Sequence, residues 1–326
     1  MLSLGKSLLQ ATYERLCKLI PAENIWVVGS RQHAELLKAQ LPTLPPSHIL
    51  LEPFQRNTAP SILWAAALIQ AQDPEAVLWI VPADHYIPQE EALLTLIQNI
   101  FAQCALRRGI YTVGIRPTYP HTGYGYIQYL PSPSEAPTLC RKVKTFTEKP
   151  SRALAEVFLQ SGDFLWNSGM FIAKAAILLE AYTEHAPEMY ELLSKSATFS
   201  EELLLERFQH CPSISFDYAI MEKYREVYVV EGSFQWWDLG SWEALYRVSP
   251  SDAHGNVIHG QVLTEAVSNS LLYTQQPSRL MYVVGLDAYL VLDTEDALLI
   301  LPRSEEEQHI RGIVGRLKAE GKTPYL

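Results

Sequence analysis

A chain of 326 residues with 48% hydrophobic and 19% charged residues can bury the core of one or two domains, which excludes disorder as its main state. Its formal net charge of −10 argues against a general nucleic-acid-binding surface, which is basic, and leaves room for a local phosphate pocket. The four cysteines, Cys17, Cys104, Cys140 and Cys211, are scattered with no CxxC. They suggest neither a zinc site nor a disulfide framework and fit a reducing compartment. No apolar run reaches the about 18–20 residues of a membrane span, and no signal-peptide pattern follows Met1–Gln10, so a cytoplasmic protein that does not enter the membrane is expected.

Ser7–Leu19 carries Leu8, Leu9, Tyr13, Leu16 and Leu19, a helical spacing. Asn24–Val28 is a short apolar run before Gly29 and Ser30, hence a buried strand, and Gln32–Gln40 looks helical. His48–Leu51 is the next strand. Asn57 is placed to cap a helix reaching about Ala71, with Pro60 near its first turn. Ala76–Val81 is a strand, Glu90–Arg107 a helix and Gly109–Ile115 a strand. This alternation indicates an α/β domain, Rossmann-like, with a mixed, mostly parallel sheet.

After Gly114 the rhythm changes. Tyr126–Tyr129, Thr138–Phe146 and Gly169–Ile172 are read as strands, with Pro131, Pro133 and Pro137 punctuating a loop. Ala175–Leu193 and Glu201–Phe208 are read as helices. From about Pro250 the texture becomes β-rich: Asn256–Thr274, Leu280–Val284, Ala288–Asp293 and Ala297–Leu301, then a final helix from about Glu305 to Glu320. A boundary is therefore expected near 250, with a small C-terminal β-rich segment that could form a short β-solenoid.

Five polar clusters interrupt the scaffold at strand ends or loops, where α/β sheets hold ligands. In EPFQRNTAP (52–60), Arg56, Asn57 and Thr58 offer a guanidinium, an amide and a hydroxyl at a helix start, which favours anions; a capped helix with a surface arginine is the plain alternative. In VPADH (81–85), Asp84 directly follows a buried strand. A hard oxygen ligand there suits Mg²⁺, which takes one or two carboxylates plus phosphate oxygens; otherwise Asp84 caps a turn, and His85 is read as structural. In TGYGY (122–126), Gly123 and Gly125 flank Tyr124 and allow close backbone approach to a ligand, or simply a tight turn. In FTEKP (146–150), Glu148 could accept sugar hydroxyls and Lys149 meet a phosphate; Asn167 follows in WNSGMF (166–171). The last cluster pairs SFDYAIME (215–222), with Asp217, and WWDLGSW (236–242), where Asp238 is either a distant partner for Asp84 in holding a cation or a helix cap.

Taken together, RNTAP, VPADH, TGYGYI, FTEKP, WNSGMF, SFDYAIME and WWDLGSW resemble the mannose-1-phosphate guanylyltransferases, also called GDP-mannose pyrophosphorylases, from about residue 5 to about residue 315. The resemblance implies a nucleotidyltransferase domain over 1–250, a C-terminal β-rich domain over 251–326, and formation of GDP-mannose and pyrophosphate from GTP and α-D-mannose 1-phosphate. By the same resemblance Asp84 and Asp238 match the ligands of a Mg²⁺ cofactor, and Lys149 the lysine near the sugar phosphate. Glu148, Asn167, Gly123, Tyr124 and Gly125 match mannose contacts, Asp217 a further motif position on that side, and Arg56, Asn57 and Thr58 the segment beside the nucleotide. The C-terminal region is expected to pack on the catalytic domain or to mediate homo-oligomer formation. The family's opening glycine-rich signature, which wraps the triphosphate with backbone N–H groups, does not occur in MLSLGKSLLQ (1–10). Weak or absent turnover by this chain alone is therefore expected. A non-catalytic sugar-nucleotide-binding relative and a nucleotidyltransferase with another base or sugar stand as alternatives.

Overall fold

The computed structural model describes residues 6–131, 139–304 and 306–325; the expectations for Pro133, Pro137, Thr138 and Glu305 lie outside them. In chain order the elements are α1 (Leu8–Cys17), β1 (Val27–Ser30), α2 (Ala34–Gln40), β2 (Ile49–Glu52), α3 (Thr58–Gln72), β3 (Val77–Ile80), β4 (His85–Tyr86), α4 (Glu90–Leu106), β5 (Ile110–Ile115), β6 (Tyr126–Tyr129), β7 (Arg141–Thr147), α5 (Arg152–Ser161) and β8 (Phe164–Lys174). There follow α6 (Ala175–His185), α7 (Pro187–Leu193), α8 (Glu201–His210), β9 (Val227–Gly232), β10 (Trp237–Asp238), α9 (Trp242–Val248), β11 (Val257–His259), β12 (Val262–Glu265), β13 (Leu271–Thr274), β14 (Met281–Val284), β15 (Tyr289–Asp293), β16 (Leu298–Pro302) and α10 (Glu306–Ala319). The chain forms two compact units. The larger holds Ser7–Ala83 and Ile87–Trp236, and the smaller holds Asp84–Tyr86 and Trp237–Leu326.

The larger unit is built on a six-stranded sheet in the order β3-β8-β5-β9-β7-β6, and β6 also pairs with β8. Strand alternation sorts its side chains into two cores. Ile110, Ile127, Leu165, Phe171, Val227 and Val229 join the core shared with α3 and α6. Tyr111, Val113, Tyr126, Trp166, Tyr228 and Val230 join the one shared with α4. Both faces are covered, which is why the strands read as nearly continuous apolar runs. The mixed α/β class expected from the sequence holds. Within the six-stranded sheet the parallel pair is β5–β9, and the other described pairings are antiparallel. Strands β1 and β2 pair in parallel as a separate two-stranded sheet.

Local chemistry explains where elements start and stop. Ser7 and Gln10 form a reciprocal capping box on α1. The helix read as Ala175–Leu193 is broken at Pro187, which opens α7 instead. Strand β8 begins earlier than the expected Gly169, because Ser168, Gly169 and Met170 form an irregularity within the strand rather than precede it. Between Phe171↔Thr112 and Asn167↔Gly114 the register with β5 shifts, and Gly169 adopts φ +70°, a left-handed conformation that suits glycine.

In the smaller unit β4 pairs antiparallel with β10. The stretch read as one β region from Asn256 to Thr274 is three strands. β11, β13 and β15 stack in parallel, β12 and β14 stack in parallel beside them, and β16 closes the first sheet antiparallel to β15. This is a short parallel solenoid. Trp242, Leu245 and Tyr246 of α9 and Ile310 of α10 pack on Leu271, Tyr273, Leu290 and Leu292. The start of α9 is capped from α10: the Trp242 and Glu243 N–H groups each donate to the Glu306 carboxylate at 2.8 Å. Glu306 is buried, so its charge meets the helix N-terminus in a poorly solvated place. Replacing it by alanine leaves both donors unpaired, and Glu306→Ala is expected to lower unfolding free energy by about 2–3 kcal/mol in a urea titration. An unchanged midpoint would remove the cap from the account.

Candidate active site

In the larger unit the sugar-side candidates converge. Asn167 is held by four hydrogen bonds, three of them to its side-chain amide. Its Oδ1 accepts from Thr112 Oγ1 at 3.2 Å and from the Gly169 N–H at 3.1 Å, so its Nδ2 faces and donates to Asp217 Oδ1 at 2.9 Å. Its backbone N–H donates to the Gly125 carbonyl at 2.8 Å. Asp217 opens a single π-helical turn, Asp217–Met221, that projects its carboxylate toward Asn167. Burial raises the Asp217 pKa, opposed by hydrogen bonds from its own backbone and from Asn167.

Glu148 lies at the end of β7 against Gly125. A Cβ on Gly125 would sit 2.5 Å from Glu148 Oε2 and 3.2 Å from Asn167 Cβ, so a side chain there would displace the Glu148 carboxylate from its present place. Burial, then repulsion from Asp217 and Glu222, push the Glu148 carboxyl up to about 7, with Lys149 pulling the other way. Lys149 Nζ is 3.7 Å from Glu148 Oε1 and largely exposed. Its backbone takes φ +49° and its N–H donates to the Tyr124 carbonyl at 3.3 Å. The Tyr124 ring is buried, stacked on His121 at 3.8 Å and edge-on to Trp166 and Trp236 at 5.3 and 5.0 Å. What the Gly123–Tyr124–Gly125 turn presents is therefore backbone rather than a phenol.

Arg56, Asn57 and Thr58, half-buried or exposed, bond to the segment 208–216 that faces them. Arg56 donates to the Phe208 and Gln209 carbonyls at 3.3 and 2.7 Å, Asn57 Nδ2 donates to Ser213 Oγ at 3.0 Å, and Thr58 Oγ1 accepts the Phe216 N–H at 2.9 Å. Asn57 stands at the start of α3 as expected, but its side chain makes no capping bond; it adopts φ +59° and turns to Ser213 instead.

In the smaller unit Asp84 and Asp238 come together. The β4–β10 ladder sets His85 opposite Asp238, and His85 is buried, as befits a structural imidazole. Asp84 keeps solvent-accessible surface, while the protein around it and then the Asp238 carboxylate raise its pKa. Asp238 Oδ1 also accepts the Gly240 N–H at 2.9 Å. Beside Glu306, Ser241 caps α9 by accepting the Ala244 N–H, so Asp238 is not the cap. Two oxygen donors that repel each other form a hard donor set that a divalent cation would relieve. Among the described residues no group of three or more His, Cys, Asp or Glu is arranged to hold a metal, so any cation here would need further oxygens from its substrate or water.

Two participants escaped the sequence reading. Thr112 lies fully buried in β5; the signal was one threonine within the run IYTVGI. Glu222, the last residue of SFDYAIME, accepts the Glu148 N–H at 3.3 Å. No helix of the described residues is long and apolar enough to cross a membrane.

Residues 1–255 match the Nucleotidyl transferase family. A putative mannose-1-phosphate guanylyltransferase of Vibrio cholerae is 37% identical over 98% of this chain and 68% of its own length. The mannose-1-phosphate guanylyltransferase of Escherichia coli K12 is 34% identical over 97% of this chain and 67% of its own. A crystal structure from Thermus thermophilus, described as a mannose-1-phosphate geranyltransferase, superposes with a TM-score of 0.84 at 31% identity, covering 96% of this chain and 90% of that one. The chain belongs to the nucleotidyl transferase family, and within it to the mannose-1-phosphate guanylyltransferases.

The Glu148 environment has a pH signature. An unfolded glutamate titrates near pH 4.3, so between there and about pH 7 the folded chain keeps a proton that the unfolded chain has lost. This group's contribution to stability falls as pH rises through that window and is level above it. The difference in unfolding free energy between the native chain and Glu148→Gln is expected to change by about 3–4 kcal/mol across the window. Parallel urea-denaturation profiles for the two proteins would refute the raised value.

Proposed function

We propose that this chain is a nucleotidyltransferase that forms GDP-mannose and pyrophosphate from GTP and α-D-mannose 1-phosphate in the cytoplasm. Kinship to enzymes named for this activity supports the reading. The observation that carries it is the meeting of Asp84 and Asp238, far apart in sequence, on one ladder. A phosphate oxygen of mannose 1-phosphate attacks the α-phosphorus of GTP in line. The bond from that phosphorus to the α,β-bridging oxygen breaks, and pyrophosphate leaves with the electron pair. Such transfers depend chiefly on positioning and charge neutralisation.

Each group has a part in this scheme. Asp84 and Asp238 would hold Mg²⁺, which when bound offsets the negative charge of the phosphates. Lys149, exposed and flexible, meets the sugar phosphate as a point charge. Glu148, held near neutrality, accepts or donates a hydrogen bond to a sugar hydroxyl. Asn167 and the backbone of Gly123–Tyr124–Gly125 orient the sugar, with Asp217 fixing the Asn167 amide. Arg56 and Asn57 are assigned to the nucleotide side. Residues 1–250 carry the chemistry in this scheme, and 251–326 are assigned self-association.

Pyrophosphate release is expected to require both substrates and Mg²⁺, with GTP preferred over ATP, UTP and dTTP. It should be measured on this chain and on a version extended upstream in its native reading frame. Silence from both proteins would remove the proposal, and preference for another base would redirect it. Asp84→Asn is expected to lower Mg²⁺-dependent kcat by roughly a hundredfold or more and to weaken Mn²⁺ binding in calorimetry. Unaltered metal binding and turnover would refute the cation assignment.

A further inference from the structure

The start of α3 and the segment before Asp217 are stitched together residue by residue. Arg56 holds the carbonyls of Phe208 and Gln209, and Asn57 holds Ser213. Thr58 Oγ1 takes the Phe216 N–H at 2.9 Å, and the Ala59 N–H donates to the Ile214 carbonyl at 3.2 Å. From the other side Tyr182 Oη donates to the Ala59 carbonyl at 2.7 Å. Asn57 adopts φ +59°, and its side chain bonds across to the facing segment rather than capping its own helix.

Of these contacts the Thr58 bond is nearest the chemistry. Phe216 is fully buried, its ring edge-on to Phe171 at 5.0 Å. The next residue is Asp217, which begins the π-helical turn and takes the Asn167 amide. One hydroxyl thus fixes the backbone amide immediately ahead of the carboxylate on which the Asn167 orientation depends. Removing that acceptor leaves a buried donor unpaired at the entrance to the turn. The turn can relieve this by shifting, and a shift moves Asp217 relative to Asn167.

We infer that Thr58 is a positioning residue for the sugar-phosphate side, bracing the Asp217 turn through the Phe216 amide, rather than a contact for the nucleotide. The inference rests on the substrate reading above, and it reverses what the motif position of Thr58 suggests. A nucleotide contact and a brace for the sugar side affect different substrates, so the two roles separate by measurement.

The test uses the full chain with Thr58→Val, which keeps the shape and removes the acceptor, and Thr58→Ser, which restores it. Thr58→Ala carries the same prediction if the valine variant does not fold. Calorimetry with mannose 1-phosphate and with GTP plus Mg²⁺ gives the two affinities, and amide exchange reports on residues 213–222. The valine variant is expected to bind mannose 1-phosphate roughly tenfold more weakly, to hold GTP within about twofold of the native value, and to exchange faster over 213–222, with serine restoring all three. Weakened GTP binding with unchanged sugar-phosphate binding overturns the inference and leaves the proposed function standing, as does no change in either affinity. A native chain that binds GTP but no mannose 1-phosphate overturns the substrate reading and this inference with it.

Discussion

The larger unit turns on the fixed orientation of one side-chain amide. Asn167 sits beside a bulge of the long strand β8, where its side-chain oxygen is claimed by a buried hydroxyl and a backbone N–H. An amide with its oxygen so engaged can present only its NH₂ on the other side, and a carboxylate waits there. Flipping the amide would set its oxygen against the Asp217 carboxylate at one end and its NH₂ against the Gly169 N–H at the other, a costly arrangement away from water. The bulge, the glycine at φ +70°, the threonine in the central strand and the π-helical turn all serve this one geometry. Gly125 belongs to it too, since its carbonyl takes the Asn167 backbone N–H and its missing Cβ admits Glu148.

Charge is handled differently in the two units. Around Glu148 three carboxylates face a single ammonium, and Glu148 meets this by holding its proton up to about pH 7. Glu148 is therefore a group able to donate or accept a hydrogen bond near neutrality. At Asp84 the causes have the same signs but the setting is open to solvent, and the neighbour is a second carboxylate of the same ladder. Repulsion of that kind in reach of water favours a cation as the third party.

Several features of the fold could be read along the chain. The strands of the larger unit announce themselves as short apolar runs because both sheet faces are covered, and the solenoid strands announce themselves by short β stretches between turns. The motifs carrying Glu148, Asn167, Asp217, Asp84 and Asp238 could be picked out because polar residues interrupt apolar runs at strand ends. Other features could not be read. Asn167–Ser168–Gly169 has turn chemistry, and whether it turns or bulges depends on what β5 offers alongside. Tyr124 looks like a ligand-facing aromatic between two glycines, and its burial is decided by His121, Trp166 and Trp236. Arg56 and Asn57 have the composition of an anion site, while their side chains bond to carbonyl and hydroxyl groups about 150 residues away.

The sequence by itself determined the α/β class, the two textures of the chain and the residue types available for chemistry, because periodicity and polarity are local properties written at fixed spacing. The tertiary structure alone decided which carboxylates become neighbours, which amide is locked and which polar side chains are spent on bonds to distant segments of the chain. Those outcomes depend on pairings such as β4 with β10 and on contacts such as Thr58 with Phe216. They join segments too distant along the chain for any local pattern to record.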